Sequence, residues 1–212
     1  MIAALVPVKT LATSKSRLLP DLPREAVARL ATAMLRDVVA ALRRVPALSR
    51  VAVVTPDAVL AQTAREAGAE ALLRDDPGLN PAVERAAAEL APQRGDGVLV
   101  VLGDLPTVTP ADLSRLLEAI EVPGAALAPS SDGGTSALLR VPRDAIPARF
   151  GPDSAARHRA EALRAGVRFR EISLASLAVD VDVSADVECI LRSPTLGSET
   201  RAALEGMGLC AA

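Results

Sequence analysis

Four groups of residues in this chain have types and spacings suited to chemistry. The first is Gly103-Asp104-Leu105-Pro106, which follows the apolar run Val98 to Leu102. In an open α/β sheet, ligands bind beyond the carboxyl ends of the strands, so Asp104 is expected to face a crevice. A loop aspartate that only caps a turn would read the same way. The second is Asp180-Val181-Asp182. On extended backbone, side chains two residues apart share one face, about 6 to 7 Å from each other. Joined by Asp104, the pair suits Mg²⁺, which takes oxygen ligands and keeps water and phosphate oxygens in its shell. Taken alone, D-x-D also fits a solvated edge strand. The third is the loop Pro7 to Leu19, between the first strand and the first long helix, a usual place for a phosphate cradle. It holds neither G-x-G-x-x-G nor a Walker lysine, so it supports neither a P-loop ATPase nor a dinucleotide-binding enzyme. Lys9, Lys15, Ser16 and Arg17 supply three cations and a hydroxyl instead. The fourth is Gly78-Leu79-Asn80, with the only asparagine of the chain. Its amide could read the edge of a base, or cap the helix that follows.

Two further residues join this inventory. Thr135 follows the glycines of Asp132-Gly133-Gly134 and could donate to a phosphate or carboxylate. His158, the only histidine, has no Ser, Asp or Cys partner at a telling spacing. It reads as a polar neighbour of the site or as a surface residue.

Composition sharpens the reading of the lysines. Of 24 basic residues, all but Lys9 and Lys15 are arginine. Lysine is a compact point charge suited to a phosphate oxygen, whereas arginine is a wide planar fork. Two lysines kept within the first fifteen residues therefore point to an anion site. The net charge of −2 argues against a nucleic-acid partner. No run approaches the ~18 apolar residues of a membrane span. The start, MIAALVPVKTL, reads as a first strand rather than a signal peptide. Cys189 and Cys210 make no disulfide framework and no metal-ligand spacing, and a reducing cytoplasm is the expected location.

The elements that must position these residues alternate between strand and helix. Strands are expected at Ile2 to Val8, Val51 to Val54, Ala69 to Leu73, Val98 to Leu102, Ala125 to Ala128, Thr135 to Val141 and Val167 to Ile172. Val179 to Val183 reads as a short strand or extended segment. Helices are expected at Arg24 to Arg44, Pro56 to Ala67, Pro81 to Ala91, from Thr109-Pro110, at Ser154 to Ala165, from a Ser184 cap to Leu191, and at Ser198 to Glu205. Strand and helix in turn, with nearly continuous apolar strands, argue for a mostly parallel sheet covered on both faces. At 212 residues, a single domain is expected over 1–212.

Six motifs in order resemble one family. These are VPVKTLATSKSRL at 6–18, GLN at 78–80, GDLP at 103–106, DGGTSALL at 132–139, FGPDSAARHRAEALRAG at 150–166 and the DVD segment at 180–182. They resemble the CofC/FbiD guanylyltransferases of coenzyme F-420 biosynthesis, relatives of the molybdenum-cofactor guanylyltransferases, over residues 1 to about 190. The resemblance implies a single three-layer, Rossmann-like α/β nucleotidyltransferase fold with a mostly parallel, mixed sheet. It implies transfer of GMP from GTP to a three-carbon phosphate acid, with Mg²⁺ on Asp104, Asp180 and Asp182. It implies catalytic roles for Lys15, Arg17 and Asp104, nucleotide contacts from Lys9, Ser16, Gly78, Asn80 and Asp104, and acceptor contacts from Thr135, Gly151 and Ser154. The family pattern D-x-D-T-x-x-D-L is altered here to Asp182-Val183-Ser184-Ala185-Asp186-Val187. The missing threonine leaves both metal aspartates in place. Family members use phosphoenolpyruvate, 2-phospho-L-lactate or 3-phosphoglycerate. The Arg- and Ala-rich composition resembles that of bacterial chains, and since bacterial members of the family mostly use phosphoenolpyruvate, the resemblance implies that acceptor. A homodimer and hand-off of product to the next enzyme are the expected protein associations. The alternatives are a sugar-phosphate or molybdenum-cofactor nucleotidyltransferase and a non-catalytic nucleotide-binding regulator.

Overall fold

The computed structural model describes residues 1–13 and 15–210. Seven strands form one sheet: β1 (Ile2–Pro7), β2 (Arg50–Thr55), β3 (Glu70–Leu73), β4 (Gly97–Val101), β5 (Gly124–Pro129), β6 (Thr135–Val141) and β7 (Arg168–Glu171). The order across the sheet is β3-β2-β1-β4-β6-β5-β7. All neighbours pair in parallel except β6, which runs antiparallel to both β4 and β5. This is the mostly parallel, mixed sheet expected of the sequence. Helices are α1 (Arg24–Arg43), α2 (Ala58–Glu66), α3 (Leu79–Leu90), α4 (Pro110–Glu118), α5 (Ser154–Ala165), α6 (Ser184–Leu191) and α7 (Ser198–Glu205).

Strand alternation sends side chains to two cores. Ala4, Val6, Leu99 and Val101 pack with α1, α2 and α4 on one face. Ala3, Leu5, Val98 and Val100 pack with α3 and α5 on the other. Helix α1 is apolar on two sides, so it serves two cores. Leu35, Val38, Val39 and Leu42 face the sheet. Val27, Leu30, Ala31 and Met34 face a smaller core with Leu18, Val181, Val187 and Leu204. That second core fixes the loop before α1 and the segment before α6 against one helix. Asp37 of α1 is buried and accepts from the N–H groups of Glu199 (3.1 Å) and Thr200 (2.8 Å), which fastens α7 at its first turn. The approach is close: a Cβ on Gly197 would collide with the Asp37 carboxylate.

The structure corrects several expectations. Of the two readings of residues 179–183, the strand is not formed: they pair with no strand of the sheet among the described residues, and Val183 is extended. The N-cap position of α6 is Val183, not Ser184. Asp186 closes that end by accepting from the N–H groups of Asp182 and Val183, both at 2.8 Å, while the Ser184 hydroxyl donates to Asp21. Helix α3 starts at Leu79 with Gly78 as its N-cap, so Asn80 lies inside the helix and does not cap it. Among the described residues, no helix is long and apolar enough to cross a membrane.

Candidate active site

The site grows from the carboxyl end of β4. Its five residues are fully apolar and buried, which leaves polarity to begin only where the strand ends. A Cβ on Gly103 would meet Val8 Cγ2 at 2.8 Å, so the turn lies tightly against the end of β1. Asp104 follows and enters the cleft. Its carbonyl accepts from Val181 N–H at 3.1 Å, which draws residues 180–182 alongside. Val181 is buried in the small core, between Asp180 and Asp182. Of the D-x-D pair, Asp182 lines the cleft, while Asp180 is tied to it through the charges of Asp104 and Lys15.

The phosphate-loop residues meet these carboxylates. The Lys15 ammonium donates to Asp104 Oδ2 and, at 3.2 Å, to Asp182 Oδ1. Arg17 Nη1 donates to Asp182 Oδ2 at 3.1 Å. Lys15 has φ 54° and ψ 35°, the left-handed region, and opens a single 3₁₀ turn over Ser16–Leu18. For a residue with a Cβ this conformation costs roughly 1–2 kcal/mol. Leu18, fully buried, anchors the turn. Burial works against the Lys15 charge, but the adjacent Asp104 and Asp182 carboxylates outweigh it and hold the pKa above its ordinary value. Lys9, Thr13, Lys15, Ser16, Arg17, Asp104 and Asp182 line one cleft of ≈ 350 Å³ together with Leu79, next to Gly78. The loop is tethered by Asp57, which accepts from Thr10 Oγ1 at 3.1 Å and Leu11 N–H at 2.9 Å. The same carboxylate caps α2. The sequence offered no signal for this second use of a helix cap.

The carboxylates are suited to a cation. Asp104 Oδ1 is buried and has no hydrogen-bond partner among the described residues. Burial, then the charge of Asp104, push the Asp180 carboxyl up to about 6. An electron-pair donor without a recipient and a carboxyl disfavoured as an anion both favour added positive charge. Among the described residues, no three acidic, His or Cys side chains are drawn into a ready metal cage. Lys15 occupies the space between Asp104 and Asp182.

Thr135, Ser154 and His158 form a second, buried cluster. Thr135 opens β6 at the same end of the sheet as Asp104, because Leu102 N–H donates to the carbonyl of Ser136 at 3.0 Å. Ser154 Oγ donates to Thr135 Oγ1 at 3.0 Å, and Thr135 Oγ1 lies 3.1 Å from His158 Nδ1. Gly151 has φ +118°, a conformation that favours glycine, and leads into the first turn of α5. His158 is 0 % exposed, which rules out its reading as a surface residue.

Asn80 is given another task than either one expected. Its amide oxygen accepts from Phe150 N–H at 2.7 Å, and its amide nitrogen donates to the Phe150 carbonyl at 3.1 Å. Both ends are thus used to tie α3 to the segment before Gly151. This arrangement does not favour base recognition by the side chain. The neighbouring Leu79, not Asn80, borders the Lys15 cleft.

Comparison with known proteins agrees with this architecture. Residues 2–209 match the family model described as guanylyl transferase CofC like. The chain is 36% identical over 198 residues to a phosphoenolpyruvate guanylyltransferase of Sphaerobacter thermophilus, covering 93% of this chain and 96% of that one. It is 41% identical over 186 residues to a phosphoenolpyruvate guanylyltransferase of Rubrobacter xylanophilus, covering 87% and 90%. In fold it is similar to a candidate nucleotide-diphospho-sugar transferase from Desulfovibrio desulfuricans G20, with TM-score 0.80, 19% identity and coverage of 98% and 95%. With nearly its whole length matched, the chain belongs to the CofC-like guanylyl transferase family.

Proposed function

We propose that this chain transfers GMP from GTP to phosphoenolpyruvate, releasing pyrophosphate and giving the guanylylated precursor used in coenzyme F-420 biosynthesis. The observation that carries this reading is the Lys15 ammonium held between Asp104 and Asp182 in a cleft also lined by Lys9 and Arg17. The acceptor is that of the similar phosphoenolpyruvate guanylyltransferases.

An oxygen of the acceptor phosphate attacks the α-phosphorus of GTP. The bond from that phosphorus to the bridging oxygen breaks, and pyrophosphate leaves with the electron pair. The attacking group is already an anion, so no side chain has to remove a proton. The protein's task is positioning and charge neutralisation. Lys9, Lys15 and Arg17 bring positive charge to the nucleotide phosphates, with Ser16 beside them. Gly78 and Leu79 border the nucleotide side. Thr135, Gly151 and Ser154 receive the acceptor at the amino end of α5, where helix polarity favours an anion. Mg²⁺ would be held by Asp104, Asp180 and Asp182 and, when bound, neutralises charge on the phosphates. The reading places the enzyme in the cytoplasm, as a homodimer that passes its product to the next enzyme.

The test is pyrophosphate release from GTP and Mg²⁺ with phosphoenolpyruvate, 2-phospho-L-lactate or 3-phosphoglycerate in separate reactions. Turnover is expected with phosphoenolpyruvate and should stop when the divalent ion is chelated. Turnover with a sugar phosphate alone would overturn the reading.

A further inference from the structure

His158 has no part in the function as proposed, yet it is fully buried against Thr135 and its ring meets Phe150 edge-on at 5.2 Å. Its Nε2 lies 2.9 Å from the Arg149 N–H. A main-chain N–H can only donate, so Nε2 must present its lone pair. Burial, then the charges of Arg140, Arg157 and Arg149, lower the His158 pKa to about 4. The neutral ring has a single hydrogen, and these partners assign it to Nδ1. The Ser154 carbonyl, a second acceptor for the same Nδ1 hydrogen, also favours this tautomer.

The hydroxyl of Thr135 is then fully determined. Protonated Nδ1 donates to Thr135 Oγ1 across 3.1 Å. Ser154 Oγ donates to the same oxygen at 3.0 Å. A hydroxyl accepts twice and donates once. With Nδ1 protonated and Ser154 Oγ donating, the proton of Thr135 can go to neither His158 nor Ser154. It remains for a third group.

We propose that His158 is a positioning residue: with Ser154 it turns the Thr135 hydroxyl into a dedicated hydrogen-bond donor for an anionic oxygen, phosphate or carboxylate, of the acceptor acid. This rests on the reading of Thr135, Gly151 and Ser154 as the acceptor side. A donor whose lone pairs are occupied is pre-set for an oxyanion. The opposite ring tautomer would take the Thr135 proton and aim a lone pair at the substrate. In a buried setting that reversal replaces a charge-assisted bond with repulsion.

Because the chain has one histidine, nitrogen-15 NMR of histidine-labelled wild-type protein at pH 7 reads its ring without ambiguity. A neutral Nδ1–H ring is expected. A neutral Nε2–H ring or an imidazolium would overturn the assignment. Two variants test the consequence. Asparagine places its amide nitrogen near the Nδ1 position, whereas glutamine places its amide oxygen near Nε2. His158→Asn should hold the acceptor KM within about threefold of wild type, while His158→Gln should raise it at least about tenfold. KM for GTP should move less than about twofold in both. Adding Thr135→Val to His158→Gln should raise the acceptor KM no further than Thr135→Val alone. Equal effects of the two His158 variants, or full additivity with Thr135→Val, would reduce His158 to a packing residue. A wild-type protein inactive on all three acids overturns the proposed function, and the acceptor role of His158 with it. A wrong tautomer in an active enzyme overturns this inference alone.

Discussion

Lys15 and Asp104, 89 residues apart in sequence, are joined by a direct ion pair in which only Oδ2 of the carboxylate takes part. The other oxygen, Oδ1, is buried without a partner among the described residues. An arginine at position 15 would present a two-pronged fork to a carboxylate with one reachable oxygen. The Lys15 side chain is also only 11% exposed, so the larger group has little room. Lys15→Arg is therefore expected to lower turnover at least about tenfold while the circular dichroism spectrum is unchanged. Wild-type kinetics in this variant would make Lys15 a simple surface charge.

Asp104→Asn removes the charge that faces Lys15 and one oxygen of the cation-seeking carboxylate. Loss of a single electrostatic stabiliser in a preorganised site costs about a hundredfold or more in rate. Initial rates of pyrophosphate release, with the fold checked by thermal melting, test this. An active, folded Asp104→Asn enzyme would remove Asp104 from the chemistry.

Asn80→Ala breaks both bonds to the Phe150 main chain. A part-buried N–H and C=O left unmet cost about 1–3 kcal/mol. Thermal or urea unfolding should register that loss, and the preference for GTP over ATP should stay within about twofold. A changed base preference at unchanged stability would restore a reading role to this side chain.

His158 sets a pH dependence of stability. Its pKa is lowered by burial, then by Arg140, to about 4 in the fold, against 6.5 for the free side chain. The unfolded chain takes up a proton near 6.5 that the fold refuses until about 4. Stability from this group is therefore complete above pH 6.5 and declines as pH falls toward 4, by roughly 3 kcal/mol in all. Urea unfolding at pH 7.5 and 4.5 should show a smaller loss for His158→Gln than for wild type. Equal losses would mean that His158 charges freely in the fold.

Gly197→Ala places a methyl group against the Asp37 carboxylate. Asp37 must move, and the N–H groups of Glu199 and Thr200 lose their acceptor. Overpacking of this kind costs about 1–3 kcal/mol. A melting temperature equal to wild type would show that α7 can shift to make room.

Local signals were enough for the frame. Ser154 to Ala165 is the helix that periodicity and Gly166 mark out. Thr109 caps α4 through Asp112 N–H at 3.2 Å, as Thr-Pro-Ala-Asp announces. What escaped was set by partners remote in sequence. The turn at Ser16–Leu18 is too short for a periodic pattern and exists because Leu18 finds the small core. Asn80 is drawn to Phe150, 70 residues on. His158 looks like any polar helix residue until β6 and the Ala148–Phe150 segment close over it. Lys15 reads as a phosphate ligand in sequence, and its pairing with two aspartates needs the folded chain.

The reach of Lys15 has a consequence for how the protein is made. Its two carboxylate partners stand 89 and 167 residues further along the chain. During synthesis the loop and β1 emerge first, while Asp182 is among the last residues before α6. Contacts of such long sequence separation form late and close only after the intervening strands have paired. A chain halted before residue 182 carries the cations of the loop without the anions that hold them. Guanylyl transfer therefore requires residue 182, and a product truncated before it should be inert rather than partly active.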